Sequence, residues 1–269
     1  MKFVVTSTEL YNRLQSIGRV INSKSTLPIL DCFLFNLDNG TLSITASDNE
    51  TTLETSLQVV EADGNGQFAI GSKNILDAIK ELPEQPVVFN INESTLTIVI
   101  EYMNGKFSMV GQNADEYPTP AVLGETTVSF NMPASILLDG INRTIFATAD
   151  DELRPVMNGI YFDITTESIT FVASDGHKLV RNRQYAVKGE EKAAFILPKK
   201  PANILKGLLA KEADDISVSF DHRNAIFIMP NHRMVCRLIE GRYPNYNSVI
   251  PQNIPFKVTV NRLAILSAL

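Results

Sequence analysis

The sequence predicts an α+β chain in which antiparallel sheets carry helices on one face. Three observations lead there. Motifs recur at a spacing of 127 residues, a shorter spacing of 65 recurs inside the longer one, and the hydrophobic period switches between that of a helix and that of a strand. In the long repeat Phe35 matches Phe162, Leu37 Ile164, Thr41 Ser168, Leu42 Ile169, Ile44 Phe171, Ala46 Ala173, Ser47 Ser174 and Asp48 Asp175, without a gap. Phe68 and Phe195 keep the 127 spacing, and Tyr117-Pro118 recurs as Tyr243-Pro244 at 126. In the short repeat Phe3 matches Phe68, Val5 Ile70, Ser7 Ser72, Leu10 Ile75 and Leu14 Ile79, and Pro133 matches Pro198.

Half-units therefore open at Phe3, Phe68, Phe130 and Phe195, with a fifth opening at Val258-Thr-Val260 that places Leu269 where Leu14 stands. The expected organisation is a first domain over 1–124, a second over 125–253, and the start of a truncated third over 254–269. Three copies need roughly 380 residues, so the chain is expected to be a piece of a longer one.

Taken in order, Phe3-Val-Val5 reads as a short strand, and the Thr6/Ser7/Thr8 cluster as a helix N-cap. Leu10, Leu14, Ile17 and Ile21 then fall on one helical face. In the second half-unit Ser72 is the expected cap, Ile75, Ile79 and Leu82 form the stripe, and Pro83 ends the helix. Pro133 and Pro201 suit first helical turns, followed by Leu137, Ile141 and Ile145 in one case and Ile204, Leu205, Leu208 and Leu209 in the other. Strands are expected over 42–46, 96–100, 169–173 and 216–220, where apolar residues alternate. Asn39-Gly40, Asn104-Gly105 and Asp175-Gly176 read as turns; Asn158-Gly159 reads as a turn or a strand start.

Composition excludes several classes. At 44% hydrophobic and 20% charged, with 14 Gly and 13 Pro in 269 residues, the chain is neither low-complexity nor disordered. No apolar run approaches the ~18 residues of a membrane span. The N-terminus turns polar at Thr6, too early for a secretory core. Two cysteines, Cys32 and Cys236, make neither a disulfide framework nor a zinc set, and a reducing cytoplasm is the simplest compartment. No cofactor or metal is implied.

The net charge of −6 hides an uneven distribution. The helical segments 7–24, 72–82, 133–148 and 199–212 hold ten Lys and Arg against five Asp and Glu. Helix surfaces are often charged and Lys is a good helix former, which is one explanation. A helical layer of one sign on a repeating scaffold is also what a sequence-blind phosphate-facing surface needs.

No phosphate loop, dinucleotide fingerprint or nucleophile elbow is present, and His177, His222 and His232 lack metal-ligand spacing. Asp175 and His177 could serve as the acid/base pair of a hydrolase; the simpler reading is a hairpin turn. This turn is where the copies diverge, Ser47-Asp-Asn-Glu50 against Ser174-Asp-Gly-His-Lys-Leu179, so the second copy has a task beyond the scaffold.

Thr26-Leu-Pro28-Ile-Leu30, Arg154-Pro-Val-Met-Asn158-Gly159, Ser174-Asp-Gly-His177-Lys-Leu179 and Gly241-Arg-Tyr-Pro244-Asn-Tyr246 together resemble the β subunit of bacterial DNA polymerase III, the replicative sliding clamps. The resemblance covers the whole chain. It implies the DNA-clamp fold, with helices on the inner face and sheets outside, and a non-catalytic processivity factor. Its partners would be duplex DNA bound without sequence preference, the catalytic subunit of the polymerase, the clamp loader, other polymerases and repair proteins with clamp-binding motifs, and itself in a two-chain ring. By family position Lys24, Lys199 and Lys200 face DNA. The partner-peptide pocket falls on Met157, Ser174, Gly176, His177, Lys178, Leu179, Pro244, Ser248 and Val249, and the ring interface on Lys73, Phe107 and Met109. Some relatives carry a basic residue in place of Ser248. The third domain would complete both pocket and ring, so this chain alone is expected not to close the family ring, leaving a first-domain edge unpaired. The competing expectation is a repeat-built module that binds peptides but not DNA; neutralising Lys24, Lys199 and Lys200 separates the two.

Overall fold

The computed structural model describes residues 1–21 and 27–269. Four half-repeats follow one plan of strand, helix and three strands. The first holds β1 (Lys2–Thr6), α1 (Ser7–Ile17), β2 (Cys32–Asp38), β3 (Thr41–Ser47) and β4 (Thr51–Gln58). A short β5 (Glu61–Asp63) precedes the second: β6 (Gly66–Gly71), α2 (Ser72–Lys80), β7 (Pro86–Asn92), β8 (Thr97–Tyr102) and β9 (Gly105–Val110). The third holds β10 (Val128–Pro133), α3 (Ala134–Thr144), β11 (Gly159–Ile164), β12 (Ile169–Ser174) and β13 (Leu179–Gln184). The fourth holds β14 (Ala193–Pro198), α4 (Lys199–Leu209), β15 (Asp215–Phe220), β16 (Asn224–Ile228) and β17 (His232–Arg237). A further helix, α5 (Arg262–Ala268), follows the fifth opening, but Val258-Thr-Val260 joins no sheet and both stretches are exposed.

The opening strand of each half-repeat leaves its own half and joins the sheet of the other. β1 pairs with β7, β6 with β2, β10 with β15 and β14 with β11, all antiparallel. This exchange explains the recurring phenylalanines. Phe3 stacks on Phe89 at 4.7 Å, Phe68 on Phe35 at 5.2 Å and Phe195 on Phe162 at 4.3 Å, in each case directly opposite in the ladder. Phe130 meets Phe220 edge to face at 6.5 Å. Each such pair adds roughly 0.5–1.5 kcal/mol beyond its buried area.

The resulting sheets run β5-β1-β7-β8-β9, β10-β15-β16-β17-β4-β3-β2-β6 and β13-β12-β11-β14. The eight-stranded sheet spans both copies because β17 pairs with β4, from His232 opposite Thr55 to Cys236 opposite Thr51. Helices pair within each copy, α1 with α2 and α3 with α4, and turn their apolar stripes onto the sheets. Leu10, Leu14, Ile17, Ile75, Ile79, Leu137, Ile141 and Leu205 are all fully or almost fully buried, as the spacing predicts. Gly140 lets α3 lie against β12, since a Cβ there would stand 2.6 Å from the Phe171 ring.

Local details depart from expectation. Thr6 occupies the N-cap of α1 without a side-chain cap, and Ser7 instead donates to the Pro83 carbonyl (2.7 Å) and accepts from the Gln85 amide (3.1 Å). Ser72 is the first residue of α2, behind Gly71 as cap. Both helices grow straight out of a strand, so the hydroxyls are not positioned to fold back on the helix amides. Leu96 is in a turn at φ +53°, so β8 starts at Thr97, and the turn after it is Met103-Asn104 with Gly105 already in β9.

Candidate functional site

The two copies meet on the helical side where α1 and α4 converge. On α4, Ala202, Leu205 and Leu209 are buried while Lys200, Asn203 and Lys206 face solvent. Arg19, in the turn after α1, crosses Gly207, where a Cβ would stand only 2.0 Å from its Nη1. Arg19, Lys199, Lys200, Asn203, Ile204 and Asp150 line a cleft of about 530 Å³. Lys199 pairs with Asp150 at 2.5 Å, and Asp150 is 79% exposed. Lys200 pairs with Asp48 of the first copy, whose side chain is 9% exposed, and donates to the Val20 carbonyl at 2.9 Å. A phosphate can displace the exposed Asp150 from Lys199 far more readily than the buried Asp48 from Lys200. Lys200 is thus also a tie across the joint, a role the sequence reading missed. The reading of Lys24 lies outside the described residues.

Beside this cleft, His232 of β17 accepts from or donates to Ser16 of α1 (Nε2 to Oγ, 2.9 Å), and its Nδ1 stands 4.0 Å from Glu212. Nδ1 is buried and has no hydrogen-bond partner among the described residues. Burial, reinforced by Arg13 and Lys211, brings the imidazole down to about 4, so it is neutral at physiological pH. This histidine is a joint residue and not a base.

The β12–β13 turn is built by its own side chains. The Ser174 hydroxyl accepts from the Gly176 amide (3.1 Å), and Asp175 Oδ1 accepts from the His177 and Lys178 amides (2.9 Å each). The first copy repeats this: Ser47 accepts from Asn49 (3.1 Å), and Asp48 from Glu50 (3.0 Å) and Thr51 (2.6 Å). Gly176 and Asn49, 127 apart, both sit at positive φ, +91° and +76°. Lys178 pairs with the other Asp175 oxygen, and it and the two amides hold that carboxyl well below the usual range. The carboxylate is committed to the turn, as the hairpin reading requires and the hydrolase reading does not.

Asp175 and His177 thus hold the turn whose far side presents Leu179. That side chain packs against a buried cluster of Val172, Ile196, Tyr243 and Tyr246, as do half-buried Val156, Tyr161, Ile239 and Ile250. Tyr161 stacks on Tyr243 at 4.7 Å, the Tyr246 hydroxyl donates to Asp163 (2.8 Å), and Arg181 reaches Asn247 (3.3 Å). These interactions bring the 174–179 turn and the 244–249 segment side by side. Val249 is 67% exposed, and Ser248 uses its hydroxyl on the Asn245 carbonyl (2.7 Å). Met157 is half-buried in the turn ahead of β11. Arg154 packs over Gly176, where a Cβ would meet its Nη1 at 2.7 Å. The supporting Tyr161, Tyr246 and Arg154 were missed as individual residues, although Arg154 and Tyr246 lie in quoted motifs. A cleft of about 710 Å³ lies next to this region over Tyr161, Tyr243 and Tyr246 and shares only Pro244 with the expected pocket.

Phe107 and Met109 are half-buried on β9, which ends the five-stranded sheet, and Lys73 is exposed on the first turn of α2. Among the described residues no cluster of His, Cys, Asp and Glu could hold a metal ion, and no helix is long and apolar enough to cross a membrane.

Comparison with known proteins connects these features. Residues 1–121 match the family described as DNA polymerase III beta subunit, N-terminal domain, and residues 131–245 match its central domain. The beta sliding clamp of Halalkalibacterium halodurans is 28% identical over 279 residues, covering 100% of this chain and 73% of that protein. That of Synechococcus elongatus is also 28% identical, over 276 residues, with 100% and 72% covered. Among solved structures, the DNA polymerase III beta subunit of Thermotoga maritima superposes with a TM-score of 0.81 at 29% identity, over 93% of this chain and 68% of that one. The Pseudomonas aeruginosa clamp gives a TM-score of 0.88 over 94% and 68%, and at 23% identity speaks for the fold alone. Two consecutive family domains, an exchanged-strand fold repeated in tandem and paired helices on the sheets agree throughout: the chain belongs to the bacterial DNA polymerase III beta subunit family, the non-catalytic sliding clamps.

Proposed function

We propose that the paired helices of both copies form a basic wall that holds duplex DNA without reading its sequence, while the 174–179 turn and the 244–249 segment receive partner peptides. Residues 1–124 and 125–253 act as two clamp units, with 254–269 opening a further one. The observation that carries the DNA reading is the cleft shared by Arg19, Lys199 and Lys200 where the copies join. Cations on such a wall neutralise phosphates and leave the base edges untouched, so the duplex can slide. Retention then comes from enclosure and not from affinity.

The peptide reading is supported by exposed Val249 and Pro244 on a segment whose Tyr246 packs in one apolar cluster with Leu179, the residue that follows His177 and Lys178. Peptides from the catalytic subunit, the clamp loader, and other polymerases and repair proteins fit such a groove, in the cytoplasm where replication takes place. Lys73, Phe107 and Met109 meet a second copy in a ring of chains that carry the third domain. Replacing Arg19, Lys199 and Lys200 together by Ala is the test: DNA loading falls, and the slope of log binding against log salt flattens by up to about 0.9 for each phosphate that is no longer neutralised. An unchanged salt slope would overturn the DNA assignment.

A further inference from the structure

The first copy carries its own version of the 174–179 site, and the second copy closes it. The turn over 47–52 matches 174–179 at a spacing of 127, and Tyr117-Pro118 opens a segment that matches 244–249 at 126. Beside both lies a cleft of about 370 Å³, lined by that turn, by residues 118–121 and, from the second copy, by Arg223, Asn224, Val235 and Arg237. We propose that this cleft binds a short acidic segment of a partner protein. The inference rests on reading 174–179 and 244–249 as a peptide site and adds a second site of different chemistry.

The linker along the cleft is fixed at both ends. Tyr117 is buried and donates to the Cys32 (3.3 Å) and Thr45 (3.4 Å) carbonyls, while the Gly124 amide donates to Asp221 (2.9 Å). The other Asp221 oxygen accepts from the Arg223 and Asn224 amides (2.7 Å each). One carboxylate thus sets both the end of the linker and the β15–β16 turn that presents Arg223. Met234 and Cys236 point into the helical core, so Val235 between them points the other way, yet it is only 3% exposed. The cleft therefore lies on the sheet face turned away from the helices and from the proposed DNA wall, which favours a protein carboxylate over a phosphate.

The two copies differ in the groups that decide the ligand. Thr52 stands where the second copy has Leu179, and its hydroxyl is bound to that of Ser47 (3.0 Å), so the apolar side chain of the other site is gone. Cations stand nearby instead. Arg223 is exposed and makes no ion pair among the described residues. Arg237 is shared between Glu50 (3.7 Å) and Glu240 (3.8 Å), and all three side chains are more than half exposed. Surface pairs of this kind are weak, so a carboxylate brought by a ligand can take their place. Pro118 and Pro120 have no N–H to offer, which leaves recognition to side chains, with Asn224 and Thr119 as hydrogen-bonding partners beside the two arginines.

The test titrates the isotope-labelled full chain with the peptide acetyl-Asp-Ala-Ser-Asp-Ala-amide and follows backbone amides by NMR. The expected shifts cluster at 47–52, 223–224 and 235–237. Arg223→Ala should weaken binding roughly two- to fivefold, and Glu50→Gln, which frees Arg237, should tighten it by up to about twofold. The same peptide with Asn in place of Asp should not bind; equal binding would overturn the acidic class of ligand. Shifts confined to 174–179 and 244–249 would overturn the second site and leave the 174–179 reading standing. No shifts anywhere would also overturn the second site, while a labelled clamp-binding peptide judges the 174–179 reading independently. Displacement of the acidic peptide by a short DNA duplex would mean a phosphate site and overturn the protein partner.

Discussion

His232 makes the joint between the two copies sensitive to acid. Its imidazole is neutral in the folded chain at about 4 against an ordinary 6.5, because burial and the nearby Arg13 and Lys211 oppose the charged form and outweigh Glu212 at 4.0 Å. The unfolded chain takes up the proton first. Stability from this group is therefore complete above pH 6.5 and is lost as pH falls toward 4. At 1.36 kcal/mol per unit, the loss between pH 7.5 and pH 5 is about 2 kcal/mol. Urea denaturation at those two pH values measures it, with His232→Gln as the non-titrating control, so that carboxylates common to both proteins cancel. The native chain should lose about 2 kcal/mol more than the variant over this interval. Equal losses would refute the reasoning.

Other consequences concern packing and the peptide groove. Gly140→Ala drives a methyl into the Phe171 ring and should cost about 1–3 kcal/mol in chemical denaturation, whereas Gly40 has open space around it but a φ of +78° that makes Asn its tolerated replacement. Tyr117 donates to the Cys32 (3.3 Å) and Thr45 (3.4 Å) carbonyls, so Tyr117→Phe should cost about 1 kcal/mol. Its repeat partner Tyr243 is buried with its hydroxyl toward the Ser174 backbone but outside hydrogen-bonding geometry, so Tyr243→Phe should be close to neutral in the same assay. Gly176→Asn should keep the turn, since Asn49 holds the matching conformation at +76° and the flexible Arg154 guanidinium can move off the new Cβ, yet weaken a labelled clamp-binding peptide in fluorescence polarisation.

The repeat made much of this legible. Asp48 and Asp175 cap the same turn because a Ser-Asp pair followed by a residue that tolerates positive φ specifies that turn locally. The helical stripes were readable for the same reason: their period is local. The exchange of opening strands was not readable, because Phe3 opposite Phe89 and Phe35 opposite Phe68 are tertiary pairings with no signature in spacing. Nor was the tie from Lys200 to Asp48, 152 residues away, which gives a cation expected on the DNA wall a second task. At the proposed peptide site the turn was legible as the point where the copies diverge. The stacked Tyr161 and Tyr243 that lie beside it come from two distant segments and became visible only in the folded chain.

Holding DNA by enclosure is the property on which everything else depends. Loading a form of the protein that carries a complete third repeat, with its clamp loader, onto a nicked circular plasmid and then cutting the circle tests this directly. Enclosure predicts retention on intact circles and rapid loss from linear ends, at a rate set by sliding and not by salt-dependent dissociation. Equal retention on circular and linear DNA would contradict it and point to ordinary affinity.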